Sequence, residues 1–358
     1  MSARSRHAAI VVLLALLAVS GMSATASGQT STTSTTKPSP AASSKGVVNK
    51  ADGKRVLSYW TEERVRAATP EPIPSSPPLI QKGEPPQNVL PGQEAEGSRP
   101  TRKLDQPIGP SAGILAGAQA ERWQRQGSMP AITIGKIYYV RNNGTPGYCS
   151  GSVITADNKN TVWTSGHCIH AGGGGEANWY SNFMFVPDTD NGLEPHGRWT
   201  WRYAATANGW YEDGDWSYDV AAIAFNPQSQ RGNLQDWVGS QGYRFGYGQD
   251  FTDIHAFGYP EDGYQRTDFT GDDLWYCFGD VSRAGILDDR MHMDNDMFHG
   301  SSGGPWLQEL QLDRGWGYII GANSHRDVDD DQNPTSIVYK SPNHGDAALN
   351  IYNDVTAN

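Results

Sequence analysis

From Ala131 onward the apolar residues of this chain come in short runs separated by turn residues. The run AITIGKIYYV (131–140) is followed by Asn142-Asn143-Gly144 and then GYCSGSVIT (147–155). Two β-branched and aromatic runs around a turn signal predict a hairpin. TVWTS (161–165), WTWRYAATA (199–207), DVAAIAF (219–225), DIHAFGYP (253–260), LWYCFG (274–279) and GWGYIIGANS (315–324) have the same character. No long helix is evident, and no repeat recurs at a fixed period. Many short strands over roughly 230 residues restrict the fold to an all-β barrel or sandwich.

The N-terminal part is different in kind. Arg4 and Arg6 precede an apolar stretch, Ala8 to Val19, and Ala24-Thr25-Ala26 then offers small residues for cleavage. These are the three parts of an export signal, so residues 1–26 are expected to be a signal peptide and the protein secreted. The apolar stretch is shorter than the roughly 20 residues a spanning helix needs, and no membrane association is expected. A Ser/Thr/Pro tract (27–45) has too little apolar surface to fold. Residues 54–69 are predicted as one short helix, with Val56 and Trp60 on one face and Pro70 as its stop. Eleven of the 22 prolines lie between residues 70 and 110, which marks an extended linker. Residues 27–126 are therefore expected to be a pro-region of low structure, and residues 127–358 the folded domain.

Charge divides the chain at the same place. Residues 127–358 carry 13 Lys and Arg against 30 Asp and Glu, whereas residues 1–126 carry 15 against 9. An acidic body lacks the basic footprint that nucleic acids require, so they are excluded as partners. Opposite signs would let the N-terminal part be attracted to the body.

Three cysteines are present, and in an oxidising compartment two of them can pair. Cys149 and Cys168 lie 19 residues apart. Closing a loop of that size is worth about 3 kcal/mol on the chain-entropy estimate. Cys277 would then be a buried free thiol or pair with another molecule.

Three segments carry chemistry. In VWTSGHCIHAGG, His167 stands just past a strand. A metal site using His167 and His170 is not supported, because Gly172–Gly175 oppose a helix and no third ligand is evident. In GDWSYDVAAIAF, Asp213 and Asp215 have the surroundings of an exposed loop, whereas Asp219 directly precedes an apolar strand. A carboxylate at the start of a buried strand needs a partner, and an imidazole N–H suits it. In GSSGGPW (300–306), glycines two before and directly after Ser302 allow backbone N–H groups to face one concavity.

In chain order these segments read T-S-G-H-C, D-V-A-A-I and G-S-S-G-G-P. Across roughly residues 130–345 this resembles the chymotrypsin-like serine peptidases. The resemblance implies two six-stranded antiparallel β-barrels (about 130–235 and 240–350) with the active site in the cleft. It implies His167 as general base, Asp219 as its orienting carboxylate and Ser302 as nucleophile. The N–H groups of Gly300 and Ser302 would form the oxyanion hole. It also implies a Cys149–Cys168 disulfide, protein or peptide substrates, no cofactor, no metal and a monomer.

Ser301 stands where animal trypsin-like zymogens carry the aspartate that pairs with the freed N-terminus, so activation by that ion pair is not implied. The spacing DMFHGSSG is similar to that of bacterial glutamyl-endopeptidase-like members, and the N-terminal region then reads as the enzyme's own propeptide. Asp296, Asn323 and His325 are the candidates for the specificity pocket. Asp296 lies six residues before Ser302, where trypsins and glutamyl endopeptidases alike have an aspartate. Asn323 stands where the latter have a pocket histidine, a departure that argues against glutamate specificity.

Two rival functions share parts of this pattern. An α/β-hydrolase esterase would need a helix after Ser302, with Asp327 or Asp346 and His344 downstream, but Pro305 and LQLDRGWGYII (310–320) read as strand, turn, strand. A catalytically silent binding protein on the same scaffold would be expected to lack a triad member or the oxyanion glycine. The acidic stretch Asp327–Asp331 fits no calcium-loop spacing and is expected to be a solvated turn.

Overall fold

The computed structural model describes residues 37–73, 88–103, 117–286, 288–331 and 333–358. The expected signal peptide lies outside them.

Six strands make the first barrel: β1 (Ile134–Val140), β2 (Pro146–Val153), β3 (Thr161–Thr164), β4 (Ser181–Pro187), β5 (Trp199–Ala207) and β6 (Ala221–Phe225). Their order is β5-β6-β3-β2-β1-β4, every pair antiparallel, and β4 pairs back onto β5 to close the ring. The expected hairpin is β1–β2, whose turn places Gly144 at φ 85°, a left-handed value that glycine adopts freely. Ile137, Val153, Val162, Phe183, Phe185, Trp199, Ile223 and Phe225 fill the interior. Full burial of each such side chain is worth roughly 1.5–3 kcal/mol.

The second barrel uses β7 (Gly242–Phe245) as an outlying strand, then β8 (Phe251–Gly258), β9 (Trp275–Gly285), β10 (Asp288–Asp294), β11 (Pro305–Gln311), β12 (Trp316–Ala322) and β13 (Val338–Ser341). The order β13-β10-β9-β8-β11-β12 is antiparallel throughout. Ser324 N–H donates to Lys340 O (3.0 Å) and Lys340 N–H to His325 O (2.8 Å), which carries β13 back to the end of β12. The molecule thus has the trypsin-like double-barrel fold. A helix, Asp346–Thr356, follows with Ala347, Ala348, Leu349, Ile351 and Val355 buried. Its Asn, Tyr, Val and Thr residues are poor helix formers, so packing and not propensity holds it, and local pattern carries no strong signal for it.

The N-terminal region departs from the expected low structure. Residues Ser44–Val48 pair with β5, Thr69–Pro70 with β2, Gln93–Ala95 with β7 and Glu121–Arg122 with β9. Trp123 is buried against the rings of Phe257 and Tyr276. The single helix expected over 54–69 is two, Gly53–Tyr59 and Glu62–Arg66. Thr61 ends the first register by capping the second helix through Arg64 N–H. Trp60, buried between them, donates its indole N–H to Asn182 O at 2.7 Å. Apart from that local cap, each of these partners is more than 70 residues away, beyond what local periodicity can signal. Among the described residues no helix is long and apolar enough to cross a membrane.

Candidate active site

The register of two strands brings His167 and Asp219 together. Thr164, the last residue of β3, pairs with Ala221, the first of β6. His167 lies three residues past that rung, in the 3₁₀ turn Gly166–Cys168, and Asp219 two residues before it. Asp219 is fully buried and accepts from His167 N–H (2.7 Å), from His167 Nδ1 (2.8 Å) and from Ser324 Oγ. A carboxylate can only accept, so Nδ1 carries the imidazole proton and Nε2 keeps its lone pair. Burial alone would lower the His167 pKa, but the charge and hydrogen bond of Asp219 outweigh it and raise the pKa above the ordinary value. The rings of Trp216 and Trp210 stand 5.8 and 6.4 Å from the imidazole.

Ser324 joins Asp219 to a longer chain of donors. Arg290 Nη1 lies 2.7 Å from His325 Nε2, and His325 Nδ1 lies 2.8 Å from Ser324 Oγ. Arginine only donates, so Nε2 accepts, Nδ1–H donates to Ser324, and the Ser324 hydroxyl proton points at Asp219. Burial, and secondarily the Arg290 charge, hold the His325 pKa well below its usual value, consistent with this neutral tautomer. Arg290 is itself paired with Asp288 (2.7 Å).

Ser302 comes from the second barrel, and its loop is bolted to the first. Ser150 N–H donates to Ser302 O (2.7 Å) and Ser150 Oγ to Gly300 O (2.9 Å), while within the second barrel Gly303 N–H donates to Asn323 O (2.7 Å). Gly300 has φ 90° and Gly303 φ 79°, and a Cβ on Gly303 would collide with Thr164 Oγ1 and the Ser150 carbonyl. Within the loop, the amides of Ser301, Gly303 and Gly304 are all bonded to backbone carbonyls, whereas those of Gly300 and Ser302 are bonded to no described residue. Ser301 Oγ donates to Phe298 O (2.6 Å). Ser302 Oγ and His167 Nε2 are buried and no hydrogen bond joins them; the Tyr339 hydroxyl, 3.2 Å from Ser301 Oγ, also interacts with the Ser302 side chain.

Cys149 and Cys168 form a disulfide, with Cα atoms 5.9 Å apart. Their sulfurs and His167 are the one group of three ligand-type residues among those described, and because the sulfurs are bonded to each other they do not offer a metal centre. Cys277 is a buried free thiol that donates to Asn295 Oδ1 (3.1 Å), and burial pushes its pKa far up. His170 holds the glycine loop, bonded to Gly175 O and Gly172 N–H. Asp215 caps Ser217 N–H.

The three pocket candidates are all engaged in hydrogen bonds. Asp296 is paired with Arg266 (2.6 Å) and accepts from Ala120 N–H (2.8 Å). Asn323 Nδ2 donates to Phe257 O and Ser301 O, and its Oδ1 accepts from Trp306 Nε1. His325 belongs to the Ser324 chain. The sequence reasoning missed Ser324, Arg290 and Arg266. It also missed Arg326, fully buried, which donates to the carbonyls of Asn295 and Met297 and lies over the rings of Tyr339 and Phe298. Burial lowers the Arg326 pKa to about 10. In the acidic stretch, Asp327 pairs with Lys340, and Asp329 accepts from the amides of Asp331 and Asn333.

No family model matches the chain. One curated protein, the "Extracellular metalloprotease" of Bacillus subtilis (strain 168), is 32% identical over 103 residues, which is 29% of this chain and 30% of that protein. The match therefore spans less than a third of that relative's length. Among solved structures, the protease Anisep from Arthrobacter nicotinovorans is 31% identical with a TM-score of 0.56, covering 64% of this chain and 98% of its own. The thermostable serine protease AL20 from an extremophilic microorganism is 27% identical, with a TM-score of 0.55 over 63% of this chain and 98% of its own. A Glu endopeptidase shares the fold, at 21% identity and a TM-score of 0.51, over 67% of this chain and 97% of its own. With the double barrel and its near-complete cover of a relative at this identity, the chain belongs to the chymotrypsin-like serine peptidase family.

Proposed function

We propose that the protein is a secreted serine endopeptidase, made as a precursor, that cleaves peptide bonds through His167, Asp219 and Ser302. The observation that carries this is the buried Asp219–His167 pair, whose Nε2 has no hydrogen-bond partner among the described residues and is left to accept a proton. Ser302 Oγ attacks the scissile carbonyl while its proton passes to His167 Nε2. The carbonyl oxygen, now negative, is received by the N–H groups of Gly300 and Ser302, the two loop amides without internal partners. Asp219 stabilises the imidazolium, which then protonates the leaving amine. An acyl-enzyme remains on Ser302, and water attacks it by the same route with His167 again as base.

Secretion rests on residues 1–26, and the precursor state on the composition and opposite charge of residues 27–126. That region is strand-paired to both barrels, which supports its being a docked pro-region and not a loose leader. A fluorophosphonate probe is the test: it should label Ser302 in wild-type protein and not in Ser302→Ala. Absence of label in correctly folded protein would instead favour a silent binding protein on this scaffold.

A further inference from the structure

The segment after the second N-terminal helix lies on the first barrel close to the candidate active site. Thr69 and Pro70 pair in parallel with Gly147 and Tyr148 of β2, immediately before Cys149, whose disulfide partner Cys168 follows His167. The next residue, Glu71, is a buried carboxylate. Its Oε2 accepts from Arg141 Nε (2.6 Å) and Tyr139 Oη (2.8 Å), and its Oε1 from Tyr180 Oη (2.7 Å). The two tyrosine rings stack at 5.1 Å and 7°. Arg141 also donates to Pro146 O within the barrel and to the carbonyls of Thr69 and Pro70.

Everything that faces Glu71 here donates. A guanidinium edge and two phenols, held by β-sheet and by stacking, make a site that a carboxylate satisfies fully. A neutral amide would present N–H groups to donors. The receptor residues all belong to the barrel, whereas the occupant belongs to the region expected to be the propeptide. Glu71 is also near enough for its charge to contribute to the raised pKa of His167.

We propose that Tyr139, Tyr180 and Arg141 form a carboxylate-binding socket for an acidic side chain of a peptide lying along β2, and that Glu71 is its resident occupant. While Thr69–Ile73 is in place, the chain's own segment holds the socket. When the segment leaves, the socket takes a glutamate from another peptide. The consequence for substrate choice rests on the peptidase reading above; the socket itself does not.

The test uses full-length chains carrying Ser302→Ala, so that no peptide is cut, and a fluorescent peptide of the sequence Ala-Thr-Pro-Glu-Pro-Ile followed by anisotropy. The chain with Glu71→Ala should bind this peptide at least about tenfold more tightly than the same peptide with Gln for Glu. It should also bind about tenfold more tightly than the chain that retains Glu71, and Arg141→Met added to Glu71→Ala should remove the binding. Should Glu71→Ala not fold, Glu71→Gln, which keeps the shape, is used in its place. Equal binding of the Glu and Gln peptides, or no binding by a folded Glu71 variant, overturns the proposal. Fluorophosphonate labelling of the chain with Ser302 intact is scored separately: its failure strikes the peptidase reading and leaves the socket result standing.

Discussion

Asp219 and Asp296 are both buried carboxylates, one at the entry to a strand of the first barrel and one just past β10 in the second. Their partners separate them. Asp219 is met by an imidazole, a backbone amide and a hydroxyl, so its charge is not cancelled and can act on an imidazolium that forms next to it. Asp296 is met by the Arg266 guanidinium at 2.6 Å, which cancels its charge before any substrate arrives. The same residue type, equally buried, meets an imidazole, an amide and a hydroxyl in one place and a fixed guanidinium in the other, and on the mechanism proposed above only the first can stabilise an imidazolium.

The strongest way to break this contrast is at the reacting groups. Ser302→Ala and His167→Ala should each lower kcat by about 10⁶, because the members of such a constellation act as a unit. Ser301→Ala should keep most activity, and a comparable loss there would reassign the nucleophile. Asp219→Asn should lower kcat by about 10⁴, since an amide in that place favours the wrong imidazole tautomer. Asp296→Asn should change the preference between basic and neutral cleavage residues less than about threefold. A larger change in a peptide-library profile would mean that Arg266 does not cancel its charge.

The pH profile sharpens the same comparison. His167 must be neutral to accept the Ser302 proton, and its pKa is raised above 6.5. Activity as kcat/KM should therefore fall as pH drops, with a midpoint above 6.5. A midpoint below that value would show that burial, not Asp219, dominates at His167. An effect between these extremes is expected at Ser324. Removing its hydroxyl costs Asp219 one charge-assisted bond, so Ser324→Ala should reduce kcat about tenfold, with KM nearly unchanged.

Much of this was legible before any fold was known. The strands over 134–140, 146–153, 161–164, 199–207 and 316–322 announce themselves by short β-branched and aromatic runs between turns. His167, Asp219 and Ser302 sit in motifs a few residues long, because the glycines and small residues around them serve local backbone needs. Strands β10, β11 and β13 were harder to see, because charged and polar residues interrupt the apolar runs of DDRMHMD, PWLQELQ and VYKS, and in β10 the charged Asp289 and Arg290 are themselves buried. The partners Ser324, Arg290, Arg266 and Glu71 had no signal at all, since a lone serine, arginine or glutamate in a sequence does not say what it will meet.

The sequence by itself determined the β architecture, the separation of a proline-rich N-terminal region from an acidic body, and the order histidine, aspartate, serine. The first two follow from period-two patterning and composition, the last from the motifs that resemble the chymotrypsin-like serine peptidases. The tertiary structure alone decided which carboxylate keeps its charge, which histidine is neutral, and that Glu71 fills a socket near His167. Those outcomes depend on burial and on donors brought from 30 to more than 100 residues away, and electrostatics in a low-dielectric interior is set by such neighbours, not by the residue's own identity.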